Sequence, residues 1–135
     1  MINIEIEARL PNLENLNFTS TFEKIARHME LSIKRNFAEG GRPETWTPLK
    51  KNGQPSHLYK TGKLFGTMGS NFGETFAEAG AMTLLPYSWV HQRGGGNNIP
   101  ARPYVLFQQE DIDFIMQEFS NDIVKFWDTS GEVIA

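Results

Sequence analysis

His28, His57 and His91 are the side chains of this sequence best suited to acid–base work or metal ligation near neutral pH. Their spacing argues against both. A metal site needs convergent ligands, as Glu-x-x-His or His-x-x-x-His on one helical face supplies them, and no such pair joins the three. His91 therefore reads as a turn histidine bonded to backbone. Asp111 and Asp113 could share a cation, but they stand where a helix begins, and carboxylates there are favoured by ~0.3 to 1 kcal/mol each. Gly62-Lys63 has the ending of a phosphate loop. Position 57, however, is His rather than Gly, and position 64 is Leu rather than Ser or Thr, so both the cradle and the Mg²⁺ ligand are missing. Ser88 lies between Tyr87 and Trp89 without the Gly-x-Ser-x-Gly elbow of a nucleophile. The chain has no cysteine, which excludes disulfides and thiolate sites. No catalytic residue, metal or cofactor is expected, and a metal-dependent hydrolase using His91 ranks third among the function classes.

The elements that must position these residues follow from periodicity. Ile2, Ile4, Ile6 and Ala8 alternate with Asn3, Glu5, Glu7 and Arg9, a strand with one buried face that ends before Pro11. From about Ser20 the period changes. Phe22, Ile25, Met29, Ile33 and Phe37 recur at three and four, with Glu23 facing Arg27 and Glu30 facing Lys34 on the wet side. Ser20 and Glu23 fit a capping box, and Gly40-Gly41 supplies a left-handed stop. Residues 42–58 hold three prolines and few apolar anchors, so they form an extended loop tacked down by Trp46 and Leu49 that orders at a partner surface. Lys60 to Thr67 is a short helical turn, and the β-prone residues after Gly69 suit a hairpin. Pro100-Ala101-Arg102-Pro103 is a stiff bridge delivering Tyr104 to Phe107 as a buried strand. Arg102 is then expected to meet a carboxylate of the last helix. In that helix Ile112, Ile115, Met116, Phe119, Ile123, Phe126 and Trp127 make one apolar face. The fold class is α+β: two main helices packed on a small, largely antiparallel sheet, with a long extended loop, in a single domain over 1–135.

Five short segments stand in a telling order: Gly40-Gly41-Arg42-Pro43, Trp46-Thr47-Pro48-Leu49, Thr61-Gly62-Lys63-Leu64, Tyr87-Ser88-Trp89-Val90-His91-Gln92-Arg93-Gly94, and Pro100-Ala101-Arg102-Pro103-Tyr104. Together they resemble the phage virion morphogenesis family, the Mu-like tail completion or head-tail joining proteins. The resemblance covers roughly residues 20 to 127. Trp89 departs from it where a smaller residue is expected, and Asn97-Asn98 make a short loop before Ile99. What the resemblance implies is assembly: a non-enzymatic structural protein at the head-tail junction or tail end, which completes the tail or joins it to the head. It further implies a virion component assembled in the bacterial host, docking on tail tube, terminator, neck or portal proteins. Copies are expected to surround the particle axis as a ring of six.

The formal charge of -3 excludes a globally basic nucleic-acid binder. No apolar run approaches the ~20 residues that span a membrane, and the N-terminus lacks a basic-then-apolar signal, so neither membrane contact nor export is expected. Charge is nevertheless segregated. Lys24 to Lys63 holds nine Lys or Arg against three Glu, a balance of +6, and Gln108 to Asp128 holds six acids against Lys125, a balance of -5. Opposite faces of neighbouring copies could meet through it, head to tail. The candidate contact residues are Arg42, Trp46, Lys50, Lys51, Lys60, Lys63, Trp89, His91, Arg102 and Tyr104, with the aromatics supplying affinity. The alternative function is a small DNA-binding or DNA-packaging accessory protein acting through the basic loop 42–63, where Arg42, Lys50, Lys51, Lys60 and Lys63 would face phosphates.

Overall fold

A computed structural model describes residues 2–5, 17–49, 53–54, 56–58, 62–82, 88–95 and 99–130. The elements are β1 (Ile2–Glu5), α1 (Thr19–Glu39), α2 (Lys63–Gly66), β2 (Met68–Phe72), β3 (Phe76–Ala81), α3 (Ser88–Arg93) and α4 (Gln109–Ser130). The strands form one antiparallel sheet in the order β1-β3-β2, with Ile4 opposite Ala77 and Ser70 opposite Ala79. The architecture is α+β. Ile6, Ala8 and Pro11 lie outside the described residues.

Helix α1 is the centre of the domain. Phe22, Ile25, Met29, Ile33 and Phe37 are all buried, as their spacing requires, and they pack on the sheet through the small buried side chains of Ala77 and Ala79. Its start differs from the expected capping box. The residue before the helix is Phe18, which caps nothing, and Asn17 Oδ1 instead accepts from the Thr19 N–H at 2.8 Å and the Thr19 hydroxyl at 2.6 Å. A short acceptor one residue earlier serves the same orphan donors. The end is as expected. Gly40 has φ 70°, and Gly41 N–H reaches back to Asn36 O at 2.8 Å, closing a Schellman turn. At Gly41 φ is 108°, and a Cβ there would stand 2.7 Å from Glu44 O and from the Trp46 backbone nitrogen. Only glycine fits.

Helix α4 is opened by its third residue. Asp111 Oδ2 accepts the Gln108 N–H at 2.8 Å, the carboxylate half of a capping box. The expected single apolar face of α4 is divided. Phe114, Ile115 and Phe119 pack on the core, while Ile112 and Met116 are exposed. The reason is that α4 meets α1 with a mixed face, in which Phe119 packs on Phe22 while Lys24 Nζ lies 3.7 Å from Glu118 and Thr21 Oγ1 bonds Asp122, and Ile112 and Met116 fall beyond it. The Phe126 and Trp127 side chains lie outside the described residues.

Two further expectations change. Tyr104 to Phe107 form no strand, because Pro103 has no N–H to offer a ladder and the next two N–H groups are taken by a side chain described below. The loop after α1 is fastened by Trp46, which is buried, and not by Leu49, which is exposed. Trp46 N–H donates to Gly40 O at 2.7 Å, and at the far end His57 Nδ1–H donates to Phe37 O at 2.9 Å. Hence both ends are held to α1.

Candidate functional site

The motif residues converge. Irregular chain that runs through an interior has backbone groups no helix or ladder satisfies, and here multidentate side chains satisfy them. Arg42 donates through Nε to Asn36 Oδ1 at 2.8 Å and through Nη2 to Ser32 O at 2.8 Å and Ser32 Oγ at 2.7 Å, and its Nη1 pairs with Glu110. Asn36, fully buried, passes the connection on by donating Nδ2–H to Tyr104 O at 2.8 Å. Gln108 Nε2 donates to Arg42 O at 2.9 Å, tying the Gly-Arg-Pro turn to the foot of α4.

The second half of the cluster is built the same way. Gln92 Oε1 accepts the N–H groups of Tyr104 and Val105, both at 3.0 Å, and its Nε2 donates to Val105 O at 2.7 Å. One amide thus does the work of a missing strand. Trp46 Nε1–H donates to Pro103 O at 3.0 Å, and Tyr104 OH to Ser88 O at 2.8 Å. Arg102 donates Nε–H to Thr47 O at 2.9 Å and Nη2–H to Pro48 O at 3.1 Å. The carboxylate partner expected for Arg102 is replaced by two carbonyls. The prolines fix its backbone beside the Trp-x-Pro-Leu segment, with Arg102 N–H on His91 O at 2.7 Å, and the carbonyls of that segment take its guanidinium.

Of the residues expected to make contacts, Trp46, Arg102 and Tyr104 are therefore buried brackets. Trp46 and Tyr104 both pack on Phe37, with ring centroids 5.8 and 5.5 Å away, so their affinity is already committed within the chain. Arg42 also points inward. His91 is half-buried; burial first, and the Arg102 charge second, hold its pKa below the ordinary histidine value. Burial lowers that of Arg102 and raises that of Tyr104. Lys63 is exposed at the start of α2. Lys50, Lys51, Lys60 and the Trp89 side chain lie outside the described residues. The segregated charges meet inside one chain: Lys24 with Glu118, and Arg35 and Arg42 with Glu110.

One cluster has no sequence signature. Asp111, fully buried, accepts from His28 Nε2–H at 2.8 Å and from the Ser32 hydroxyl at 2.9 Å, and the His28 ring stacks on Phe114 at 4.1 Å. A serine, a histidine and an aspartate are together, but not in catalytic order. Ser32 donates to Asp111 and not to His28, so the imidazole is not placed as base for the hydroxyl. The signal available was weak: His28 and Ser32 share a helical face, and their partner is 83 and 79 residues away. Among the described residues no three of His, Asp and Glu converge as a metal site.

The fold and this bracket arrangement can be set beside known proteins. The sequence matches the phage virion morphogenesis family over residues 5–123, which takes in every segment of the cluster. The chain belongs to that family. It is similar to the Mu-like prophage FluMu G protein 2 of Haemophilus influenzae, at 34% identity over 104 residues, with 72% of each chain covered. No solved structure matches it. In this family member, the Arg, Trp, Gln and Tyr of the motif segments fasten loops to one another and to α1. Beside a charged surface, apolar side chains also face outward: Ile112 and Met116 along α4, the latter 63% exposed, and Leu31 on α1 at 66%; among the described residues the outer margins of β1 and β2 pair with no backbone. No helix of the described residues is long and apolar enough to cross a membrane.

Proposed function

We propose that the protein is a non-enzymatic structural component of a phage or prophage particle that acts at the head-tail junction or the tail end, completing the tail or joining it to the head. The observation that carries this reading is the use of the polar motif residues. Arg42, Gln92 and Arg102, with Asn36 of α1 beside them, bond backbone of the same chain and hold an irregular surface rigid, as a docking part requires. The relative from a Mu-like prophage supports the setting. Copies form a ring, of six in this proposal, which docks on tail tube, terminator, neck or portal proteins. Internal pairing of the charged segments means that apolar and backbone contacts, rather than ion pairs, join the copies.

Deletion of the gene from an inducible prophage, with complementation from a plasmid, tests the reading. Expected are filled heads and separate tails by electron microscopy, and infectious particles restored by the wild-type gene. Normal yield of joined, infectious particles without the gene would refute it. A salt-dependent shift of duplex DNA by the purified protein would instead favour the DNA-binding function, its slope counting the phosphates contacted. Arg42 is turned inward and Lys63 is exposed, which are the two cations among the described residues of the 42–63 loop.

A further inference from the structure

The two margins of the sheet are complementary to one another. In β2 the pairs that exchange hydrogen bonds with β3 can be read from its flanks, where Met82 N–H donates to Thr67 O at 2.8 Å and Gly73 N–H to Phe76 O at 3.0 Å. Since bonding alternates along an antiparallel pair, Gly69 and Asn71 face β3, and the backbone groups of Met68, Ser70 and Phe72 point off the open margin. On the other side, Glu78 is bonded toward β2, so Ala77 and Ala79 bond to Ile4 and Ile2. Asn3 and Glu5 then present their N–H and C=O groups outward from β1. Among the described residues, no backbone pairs with either margin. The β2 margin also lacks the usual protection: Met68-Gly69-Ser70-Asn71-Phe72 contains no charge and no proline, and Asn71 and Phe72 are exposed.

We propose that β2 of one copy pairs with β1 of the next, joining the sheets of neighbouring copies into one. This deepens the ring reading above and rests on it. Three features of the chain select a second copy as the occupant. Both β1 and β2 run antiparallel to β3, so they run in the same direction, and a β2-to-β1 junction is a parallel pair between unlike margins. Cyclic symmetry keeps all copies pointing the same way along the axis and demands a junction of this kind. The register is also determined up to shifts of two residues. With Ser70 set beside Ile4 of the second copy, Ser70 N–H reaches Asn3 O and Glu5 N–H reaches Ser70 O, the slanted, evenly spaced pattern of parallel strands. That register keeps Ser70 and Ile4 on the same side as α1, where Ser70 Oγ already bonds Glu30 at 3.0 Å; a slip of one residue would turn every side chain over. Six copies of a three-stranded sheet join eighteen strands. At a strand spacing of ~4.8 Å these close at about 28 Å across if they run along the axis, and wider if tilted.

Proline substitution tests the contact, because it removes an N–H and is tolerated on a strand margin where that N–H bonds nothing among the described residues. Ser70→Pro and, as a second variant should the first misfold, Phe72→Pro disable the β2 margin, and Asn3→Pro the β1 margin. Ser70→Ala keeps the N–H. Size-exclusion chromatography with light scattering at tens of micromolar, in low and high salt, reads the outcome, with circular dichroism as the check on folding. Expected are a wild-type ring that persists in high salt, the same ring for Ser70→Ala, and folded monomers for the proline variants. A mixture of Ser70→Pro with Asn3→Pro, which has one intact margin of each kind, should stop at the heterodimer. Rings from the proline variants would overturn the junction and leave the ring reading standing. Oligomers from Asn3→Pro but not from Ser70→Pro would overturn it in favour of self-pairing through β2. A wild-type protein that stays monomeric in every condition would overturn both the junction and the ring.

Discussion

Replacing Asp111 by Ala should be the most damaging single change at the foot of α4, even though Asp113, two residues on, is the same residue type in the same helical turn. The Asp111 carboxylate is fully buried and accepts three hydrogen bonds, from His28 at 2.8 Å, Ser32 at 2.9 Å and the Gln108 N–H at 2.8 Å. A hydrogen bond to a charged group contributes about 1.5 to 3 kcal/mol, but three on one carboxylate are not additive. Removing one partner of a buried charged pair costs about 3 to 5 kcal/mol, and that range applies here because three donors are left facing a void. In a domain of this size it is a large part of the total stability and corresponds to a fall in Tm of roughly 10 to 20 °C. Urea unfolding followed by circular dichroism measures it as a lower midpoint at unchanged slope. Asp111→Asn should lose less, since its oxygen can keep the Gln108 N–H. Asp113→Ala, on the exposed side of the turn, should lose only the ~0.3 to 1 kcal/mol of a first-turn carboxylate. Combining Asp111→Ala with Ser32→Ala should cost less than the sum of the two. Equal, small losses for Asp111→Ala and Asp113→Ala would refute this account and restore the helix dipole as the whole role of both.

Phe119→Ala removes a ring that meets Phe18 and Phe22 edge-on at 5.2 and 5.5 Å; because Phe119 is only half-buried, the loss should be about 2 to 4 kcal/mol by thermal unfolding, and no loss would show that α4 is not part of the core. The His91 pKa is lowered in the fold, so its contribution to stability is complete above the unfolded value of 6.5 and is lost as pH falls from there through the folded value. His91→Gln should therefore flatten the stability–pH profile just below pH 6.5, as read by urea midpoints at a series of pH values, and an unchanged profile would contradict the assignment. Asp122, whose pKa burial raises, titrates with the opposite sign from its own lower starting value of 3.8, so the comparison is the variant against wild type at each pH.

The elements that repeat are legible in the amino-acid order. The recurrence of Phe22, Ile25, Met29, Ile33 and Phe37 specified α1, Gly40-Gly41 specified where it stops, and the residues after Gly69 specified a hairpin, because periodicity and backbone permission are local properties carried by the side chains themselves. The five ordered segments likewise pointed to the family. Only the tertiary structure decided what those segments do. Arg102 and Trp46 bond backbone carbonyls more than fifty residues away, and a carbonyl occurs on every residue, so no side chain in the sequence marks the recipient. The same holds for charge. The basic and acidic stretches looked like separate faces for separate copies until the antiparallel packing of α1 and α4 set Lys24 against Glu118 and Arg35 against Glu110. The division of α4 into a covered face that is part aromatic and part polar, and an apolar margin toward solvent, was likewise invisible to a helical period, which reports how wide an apolar face is but not which part of it a neighbour covers.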